Sequence, residues 1–367
     1  MQDVRVHQLA RLLVEYSANV QADERVAIMC RPEALPLAEA LYQAALARGG
    51  HPELLLDYEL TDELLLKHGS PAQIGRTPAI HQLVFENFEV LFKVRGEANT
   101  RALSGVNPQA QARRREALAP VLGAQLRRGA VGQLKWVVCC FPTLAYAQDA
   151  DMSLGEYEDF VYGACHVGGP DDPVAFWKQV QAEQQRLADF MQGKDVVQVN
   201  SKNVDLTLSV KGRTWLNSCG THNMPDGEIY TGPVENSVNG WVRFTYPGVY
   251  GGREVDGIEL GFDNGRVVRA TARKNEDFLL KTIDTDPGAR TLGEFAIGTN
   301  FGVTRFTKSI LFDEKIGGTI HMALGAGYPE TGSHNVSAVH WDMICEMRQG
   351  EIRVDGQVFY RNGEFKV

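Results

Sequence analysis

Cations, cysteines and long apolar runs are all scarce in this sequence of 367 residues. There are 37 lysines and arginines against 46 aspartates and glutamates, and the formal charge of −9 argues against general binding to nucleic acid or anionic membranes. No stretch approaches the roughly 18 apolar residues that a membrane span needs. The first residues include Asp3 and Arg5 and contain no apolar segment typical of a secretory signal. We therefore expect a cytoplasmic protein with neither nucleic-acid nor membrane partners.

Several motifs are missing as well. The 6 cysteines are too sparse for a disulfide framework, and they include no Cys-x-x-Cys pair, which argues against a thiolate zinc site and a thioredoxin-like motif. Cys139 and Cys140 are neighbours in an apolar run, where strand side chains point to opposite faces, so we expect buried, reduced thiols. The absence of His-Glu-x-x-His and Gly-x-Ser-x-Gly argues against a single-zinc protease and a serine hydrolase.

The pattern of the chain changes near residue 194. Before it, apolar runs predict strands at 24–30, 52–58, 88–94 and 135–141, which alternate with helices at 1–19, 32–48, 108–128 and 174–191. Such alternation predicts a parallel or mixed sheet covered by helices. After it, glycines and short strands dominate, and 263–265 (Asp-Asn-Gly) indicates a hairpin. We therefore predict an α/β N-terminal domain over 1–194 and a strand-rich α+β C-terminal domain over 195–367.

The most informative side chains lie in this second half. His321 falls in an apolar strand pattern, and His340 and Asp342 are two residues apart in another. Residues two apart on a strand share a face, so the imidazole of His340 and the carboxylate of Asp342 converge. Two imidazoles and a carboxylate suffice to bind a divalent transition metal, although His-x-Asp alone is also typical of a hydrogen-bonded core pair.

Two glutamates occupy unusual positions. Glu228 enters a strand from a Pro/Gly turn, and Glu294 lies within a mostly apolar strand. A charge inside such a run belongs either to an exposed edge strand or to a ligand, and the spacing leaves both interpretations open.

Around these residues the sequence resembles the aminopeptidase T family of metallo-aminopeptidases, peptidase family M29. Five motifs in the family's order carry the resemblance, at 223–229, 293–300, 311–321, 327–332 and 337–342. The resemblance implies that the C-terminal domain holds two divalent metal ions, zinc, cobalt or manganese, with Glu294 as the bridging ligand. The implied ligands are Glu228, Glu294, His321, Tyr328, His340 and Asp342.

The implied activity is removal of N-terminal residues from peptides with a free N-terminus, by a homodimer. Two ions can activate a shared water and polarise the scissile carbonyl, and one can receive the α-amino group. Glu294 and Tyr328 are then catalytic candidates as well as ligands. Glu314 and Lys315 are further candidates for acid–base and oxyanion roles, or they form a structural salt bridge.

Two alternatives remain at this stage. His321, His340 and Asp342 also match the two-histidine, one-carboxylate set of mononuclear iron(II) enzymes, and a ring-cleaving dihydroxypyridine dioxygenase resembles the same family. A one-iron site would have no use for Glu228 and Glu294. The other alternative is a protein that binds metal without catalysis.

Overall fold

The computed structural model describes residues 3–367, which divide into two compact units. The first unit comprises the described residues up to Trp177 together with Gly220–Pro225, and the second comprises Lys178–Cys219 and Asp226–Val367. The helices are α1 (Val4–Leu12), α2 (Leu35–Ala47), α3 (Glu59–His68), α4 (Pro71–Ile74), α5 (Ala79–Asn87), α6 (Pro108–Ala130), α7 (Leu144–Asp149), α8 (Leu154–Ala164), α9 (Pro173–Met191), α10 (Glu276–Ile283) and α11 (Ile310–Asp313).

The strands are β1 (Arg25–Cys30), β2 (His51–Leu56), β3 (Val90–Arg95), β4 (Lys135–Cys140), β5 (Val196–Ser201), β6 (Val204–Ser209), β7 (Leu216–Ser218), β8 (Asn223–Met224), β9 (Glu228–Thr231), β10 (Asn239–Arg243), β11 (Gly248–Tyr250), β12 (Arg253–Val255), β13 (Glu259–Asp263), β14 (Arg266–Thr271), β15 (Leu292–Gly298), β16 (Thr319–Gly325), β17 (His340–Glu346), β18 (Glu351–Val354), β19 (Gln357–Arg361) and β20 (Glu364–Phe365). No helix of the described part of the chain is long and apolar enough to cross a membrane.

The first unit is built on a parallel sheet of order β2-β1-β3-β4-β8. Its central strands consist mostly of buried apolar residues, as expected when helices cover both faces. On one face Met29 and Leu91 pack against Phe85 of α5 and Val121 of α6. The four predicted strands of this half agree with β1–β4 to within two residues at each end.

The second unit contains an eight-stranded sheet, β14-β13-β10-β6-β5-β18-β19-β20, and a five-stranded sheet, β17-β16-β15-β9-β7, both antiparallel. Side chains from both sheets form one hydrophobic core, which includes Leu206 and Val242 from the first and Phe295 and Met322 from the second. The predicted hairpin joins β13 to β14, with positive φ at Asn264 and Gly265 as a tight turn requires.

A β-bulge in β15 decides which side chains of the five-stranded sheet leave the core. Leu292 pairs with Leu324, but the next pair is Glu294 with Ala323, so Gly293 is an extra residue. Because of this insertion, Leu292 and Phe295 both face the core and Glu294 points to the opposite face. A Cβ on Gly293 would lie 2.3 Å from the carbonyl oxygen of Ala326, so only glycine fits there.

Candidate metal centre

One face of the five-stranded sheet carries most of the predicted ligands, while the other packs on the core. The neighbours Ile229, Ile320 and Trp341 belong to the core, and alternation sends the residues beside them to the opposite face. The residues on that opposite face are Glu228 and Tyr230 of β9, Glu294 of β15, His321 of β16, and His340 and Asp342 of β17. The structure therefore brings together five predicted ligands from four strands.

Cross-strand pairing aligns the ligands around small residues. Ala323 pairs with Glu294 on one side and with Asp342 on the other, so these three form one row across the sheet. Ala296 pairs with both Tyr230 and His321 in the next row. Two methyl groups thus lie where larger side chains would fill the space between the ligand atoms.

The two oxygens of Glu294 face two different imidazoles. His321 Nε2 lies 3.6 Å from Glu294 Oε1, and His340 Nε2 lies 3.4 Å from Glu294 Oε2. Further out, His321 Nε2 is 3.3 Å from Glu228 Oε2, and His340 Nε2 is 3.5 Å from Asp342 Oδ1. Glu294 therefore lies at the centre of the cluster.

Three groups of these side chains have donor atoms close enough to share an ion. They are Glu228, Glu294 and His321; Glu294, His340 and Asp342; and Glu314, His321 and Asp342. Within each group the ligand atoms lie within 4.8 Å of one another. Glu294 belongs to the first two, which otherwise share no member.

Several polar atoms of the cluster are buried without a hydrogen bond. Glu228 Oε2, His321 Nδ1 and Asp342 Oδ1 have no hydrogen-bond partner among residues 3–367. Burying such atoms costs on the order of 1–3 kcal/mol each, more when they are charged. Carboxylate and imidazole donors are also the types that bind divalent transition metals, so the residues present fit a metal site.

Lys315 is buried beside this cluster with only 1% of its side chain exposed. Its Nζ lies 2.5 Å from Glu228 Oε1, 2.8 Å from Glu314 Oε1 and 3.5 Å from Asp226 Oδ1. Asp226, Glu228, Glu294, Glu314 and Asp342 are five carboxylates against this one ammonium. With neutral imidazoles their formal charge is −4, which equals in magnitude the charge of two divalent cations.

The buried charges shift one another's pKa values. Burial raises the pKa of Glu228 to about 8 despite the nearby Lys315 and His321. For Glu294, burial is outweighed by the two imidazoles that face its oxygens, which lower its pKa to about 2. Burial is also outweighed at both histidines, where the surrounding carboxylates raise the pKa of His321 to about 9 and that of His340 to about 11. Without metal, protons therefore occupy the imidazoles at neutral pH.

A hydrogen bond fixes the orientation of His340. Its Nδ1 lies 2.8 Å from the carbonyl oxygen of Ala326, so this nitrogen carries a proton and donates it, and Nε2 faces Glu294 and Asp342. The ring of Tyr328 meets the His340 ring edge-on, with 5.2 Å between centroids. Partial burial and the carboxylates of Glu294 and Asp342 hold the pKa of the Tyr328 phenol above its usual range.

Sequence reasoning missed four contributors to this centre. Asp226 contacts Lys315, Tyr230 packs edge-on against Tyr328, and Ala296 and Ala323 provide the space between ligands. For the alanines a signal existed, because each lies two residues from a predicted ligand and therefore on the same strand face. Asp226 lay inside a recognised motif, but its spacing says nothing about the distant Lys315.

Comparison with known proteins identifies one family over almost the whole chain. A family model described as thermophilic metalloprotease (M29) matches residues 2–365. Aminopeptidase 2 of Geobacillus stearothermophilus is 26% identical, over 95% of this chain and 92% of that protein. The structure of wild-type AmpT from Thermus thermophilus has a TM-score of 0.86 at 21% identity, covering 99% of each chain. A 2,5-dihydroxypyridine dioxygenase of Pseudomonas putida has a TM-score of 0.57 at 12% identity, covering 98% of this chain and 96% of that one.

The family match over residues 2–365 and the curated relatives define the class of this chain as a metal-dependent peptidase, a hydrolase. The chain belongs to the M29 family of metallopeptidases, as its motifs predicted. The structural similarity to AmpT shows that the chain has the same fold, with helices and several sheets.

Proposed function

We propose that this chain is an aminopeptidase that uses two divalent ions, zinc, cobalt or manganese, to remove N-terminal residues from peptides. The observation that carries the proposal is the position of Glu294, whose two oxygens face His321 and His340 and which belongs to two otherwise separate ligand groups. A carboxylate in that position suits a bridge between two ions. The curated relatives named aminopeptidases support the substrate class.

The ligands would then divide between two positions. Glu228 and His321 would serve one ion, His340 and Asp342 the other, and Glu294 both. The formal charge of −4 on the surrounding groups supports a count of two. When bound, such a pair lowers the pKa of a water and polarises the scissile carbonyl.

The remaining roles belong to the protein's own groups. Lys315 fixes the Oε1 atom of Glu228, which leaves Oε2 directed at His321. Glu314, like Glu228, forms an ion pair with Lys315, and it lies in a ligand group with His321 and Asp342. Its carboxyl can therefore exchange a proton at that side of the centre. Its pKa is raised, chiefly by burial, which favours the protonated carboxyl that such exchange requires. The protonated phenol of Tyr328 can donate a hydrogen bond to a developing oxyanion as well as contribute a ligand oxygen.

The geometry favours this activity over a mononuclear iron oxygenase. That alternative requires His321, His340 and Asp342 around one ion. In residues 3–367, none of the three ligand groups contains both imidazoles together with Asp342. Glu228 and Glu294, for which a one-iron site has no use, belong to these groups instead. The resemblance to the dioxygenase is one of fold alone. The homodimer and the cytoplasmic location stay predictions.

Metal analysis combined with activity tests the proposal. We expect elemental analysis of the purified chain to find about two zinc, cobalt or manganese ions, and hydrolysis of a leucine chromogenic amide that a chelator abolishes and one of these ions restores. An N-acetylated substrate is the control, because it lacks the free amino group and should not react. A single iron without peptidase activity would support the oxygenase, and two bound ions without hydrolysis would support a non-catalytic metal-binding protein.

A further inference from the structure

A cavity lies within the first unit, at the carboxyl ends of its parallel strands. It has a volume of about 340 Å³, in the range of small-molecule sites. Residues at or just beyond the ends of β1, β2 and β3 line it, together with side chains of α5 and α6. In the order β2-β1-β3-β4, the connections leaving β1 and β3 run to opposite sides. Open α/β sheets bind ligands at such a switch point.

Strand β3 places two cations in this cavity. Lys93 and Arg95 are two residues apart and share a face, and both line the cavity. Lys93 Nζ donates a hydrogen bond to Gln125 Oε1 at 2.8 Å and lies 4.7 Å from the centre of the Phe85 ring. Burial, and then the charge of Arg95, lower its pKa to about 8. Among residues 3–367, neither cation forms an ion pair with a carboxylate, so both are available to an anionic group.

An acceptor of opposite charge follows on the same segment. Glu97 lines the cavity, and its Oε2 is buried without a hydrogen-bond partner in the described chain. Buried carboxylate oxygens normally accept a hydrogen bond, so a ligand with a hydrogen-bond donor would satisfy this atom. Arg31 does not supply it, because its guanidinium is already engaged with Asp57 at 3.3 Å and Asp62 at 3.7 Å.

Most of the rest of the wall is apolar, although Asp57 and His81 also line the cavity. Phe85, Leu118, Val121 and Leu122 line the side formed by α5 and α6, and Met29 lines the side formed by β1. A ligand that matches all three features carries an anionic group, a cationic hydrogen-bond donor and a compact hydrocarbon part.

We propose that this cavity binds a free α-amino acid with an apolar side chain. Its carboxylate pairs with Lys93 and Arg95, its ammonium group donates to Glu97, and its side chain packs against Phe85 and Val121. A phosphate would satisfy the two cations but leave Glu97 without a donor and the apolar wall unused. That this ligand is also the product class of the enzyme rests on the proposed function; the binding site itself does not.

Calorimetric titration of leucine into the full chain tests the site. We expect binding that survives Glu294→Gln, which disables the metal centre, and that weakens at least tenfold with Lys93→Gln. Lys135→Gln is the matched control, because Lys135 lies on the same sheet and pairs with Glu24 away from the cavity. Lys93→Gln should leave hydrolysis of the leucine amide unchanged. Equal leucine affinity with and without Lys93, or binding lost with Glu294→Gln, would overturn the proposal, and neither result bears on whether the metal centre hydrolyses peptides.

Ligand variants then test the assignment of groups. Compared with leucine, 4-methylpentanoate lacks the ammonium and 3-methylbutylamine lacks the carboxylate, so we expect each to bind at least tenfold more weakly. Glu97→Gln should weaken the binding of leucine and leave the binding of 4-methylpentanoate unchanged. General damage to the fold would weaken the binding of both. Inorganic phosphate binding more tightly than leucine would refute the amino-acid assignment.

Discussion

Glu294 combines properties that neutral or longer side chains lack. Its side chain is buried, with 4% of the residue exposed, and its pKa is lowered to about 2, so it is ionised at neutral pH. Each of its two oxygens faces one imidazole. In the proposed centre, the change Glu294→Gln keeps the shape and removes the charge that two cations would share. We expect it to lower the rate of peptide hydrolysis at least 100-fold and to reduce bound metal below two per chain.

The measurement for Glu294→Gln is steady-state hydrolysis together with elemental analysis. His340→Ala should lose activity similarly, while circular dichroism should show both variants folded. A control is Glu276→Gln in α10, whose carboxylate accepts a hydrogen bond from the Ala272 backbone in another part of the second unit. Near-normal activity of Glu294→Gln would refute the assigned site.

Lys315 raises a separate question, since the sequence left an oxyanion role and a structural salt bridge equally open. Its ammonium is enclosed by carboxylates of Asp226, Glu228 and Glu314 at a residue exposure of 1%. Removing one member of a buried ion cluster leaves the others uncompensated, at about 3–5 kcal/mol. We therefore expect Lys315→Met to lower the free energy of unfolding of the metal-free protein by about that amount, measured by urea denaturation.

The control for Lys315→Met is an exposed lysine in an ion pair. Lys274 pairs with Glu254 at 3.2 Å but is 60% exposed, so Lys274→Met should change the free energy of unfolding by less than about 1 kcal/mol. If Lys315→Met unfolds at the same urea concentration as the parent but loses turnover, the ammonium acts on the reaction and is not needed for stability.

At the scale of strands, space between ligands matters as much as the ligands. Ala323 is fully buried between Glu294 and Asp342 in the cross-strand row. We expect Ala323→Val to lower metal affinity at least tenfold, because two added methyl groups occupy the region between those carboxylates. The cost in folding should stay within the roughly 1–3 kcal/mol typical of overpacking.

The readout for Ala323→Val is metal affinity by competition with a chromogenic chelator. Met322→Leu, on the core face of the same strand, is the control, and it should leave affinity unchanged because it conserves volume away from the site. Unaltered metal affinity in Ala323→Val would contradict the claim that Ala323 leaves space for metal between Glu294 and Asp342.

The strands also show where sequence reasoning stops. His321, and the pair His340 and Asp342, followed directly from strand alternation, because β16 and β17 are regular. Glu294 did not. Regular alternation from Leu292 would send Glu294 to the core, and only the bulge at Gly293 reverses its face. A bulge depends on pairing with another strand, so a single strand's sequence cannot reveal it, and the family motif located Glu294 where periodicity could not.

For the whole molecule, predictability follows the size of the apolar core. The central strands and long helices of the first unit were predicted because each buries a regular apolar face. Helices α3 and α4 were not predicted, since the described cluster there is small, with Leu66, Ile74 and Val106 buried. For α4 the start is defined by local capping at Ser70, whose hydroxyl accepts a hydrogen bond from the Gln73 backbone while the Gln73 side chain accepts one from the Ser70 backbone.

Charge in the second unit makes stability depend on pH and metal together. The folded-state pKa of Glu228 is raised to about 8, that of His321 to about 9 and that of His340 to about 11. A group with a raised pKa stabilises the fold fully below its unfolded value, and this contribution is lost as the pH rises through the folded value. The unfolded values are about 4.3 for glutamate and 6.5 for histidine, so all three contributions decline together between about pH 6.5 and pH 8, and the histidine contributions decline further above pH 8.

Metal should reverse this dependence, because a cation requires neutral imidazoles and an ionised Glu228. Binding then releases protons, more than one per chain at pH 7 by the pKa values above, and affinity rises with pH. We expect the Tm of chelator-treated protein to fall between pH 6.5 and pH 8.5, and the stabilisation by added zinc or manganese to grow over the same interval. Calorimetry in buffers of different ionisation enthalpy counts the released protons. Parallel Tm profiles with and without metal, or no proton release, would contradict a centre in which ions replace the protons of His321 and His340.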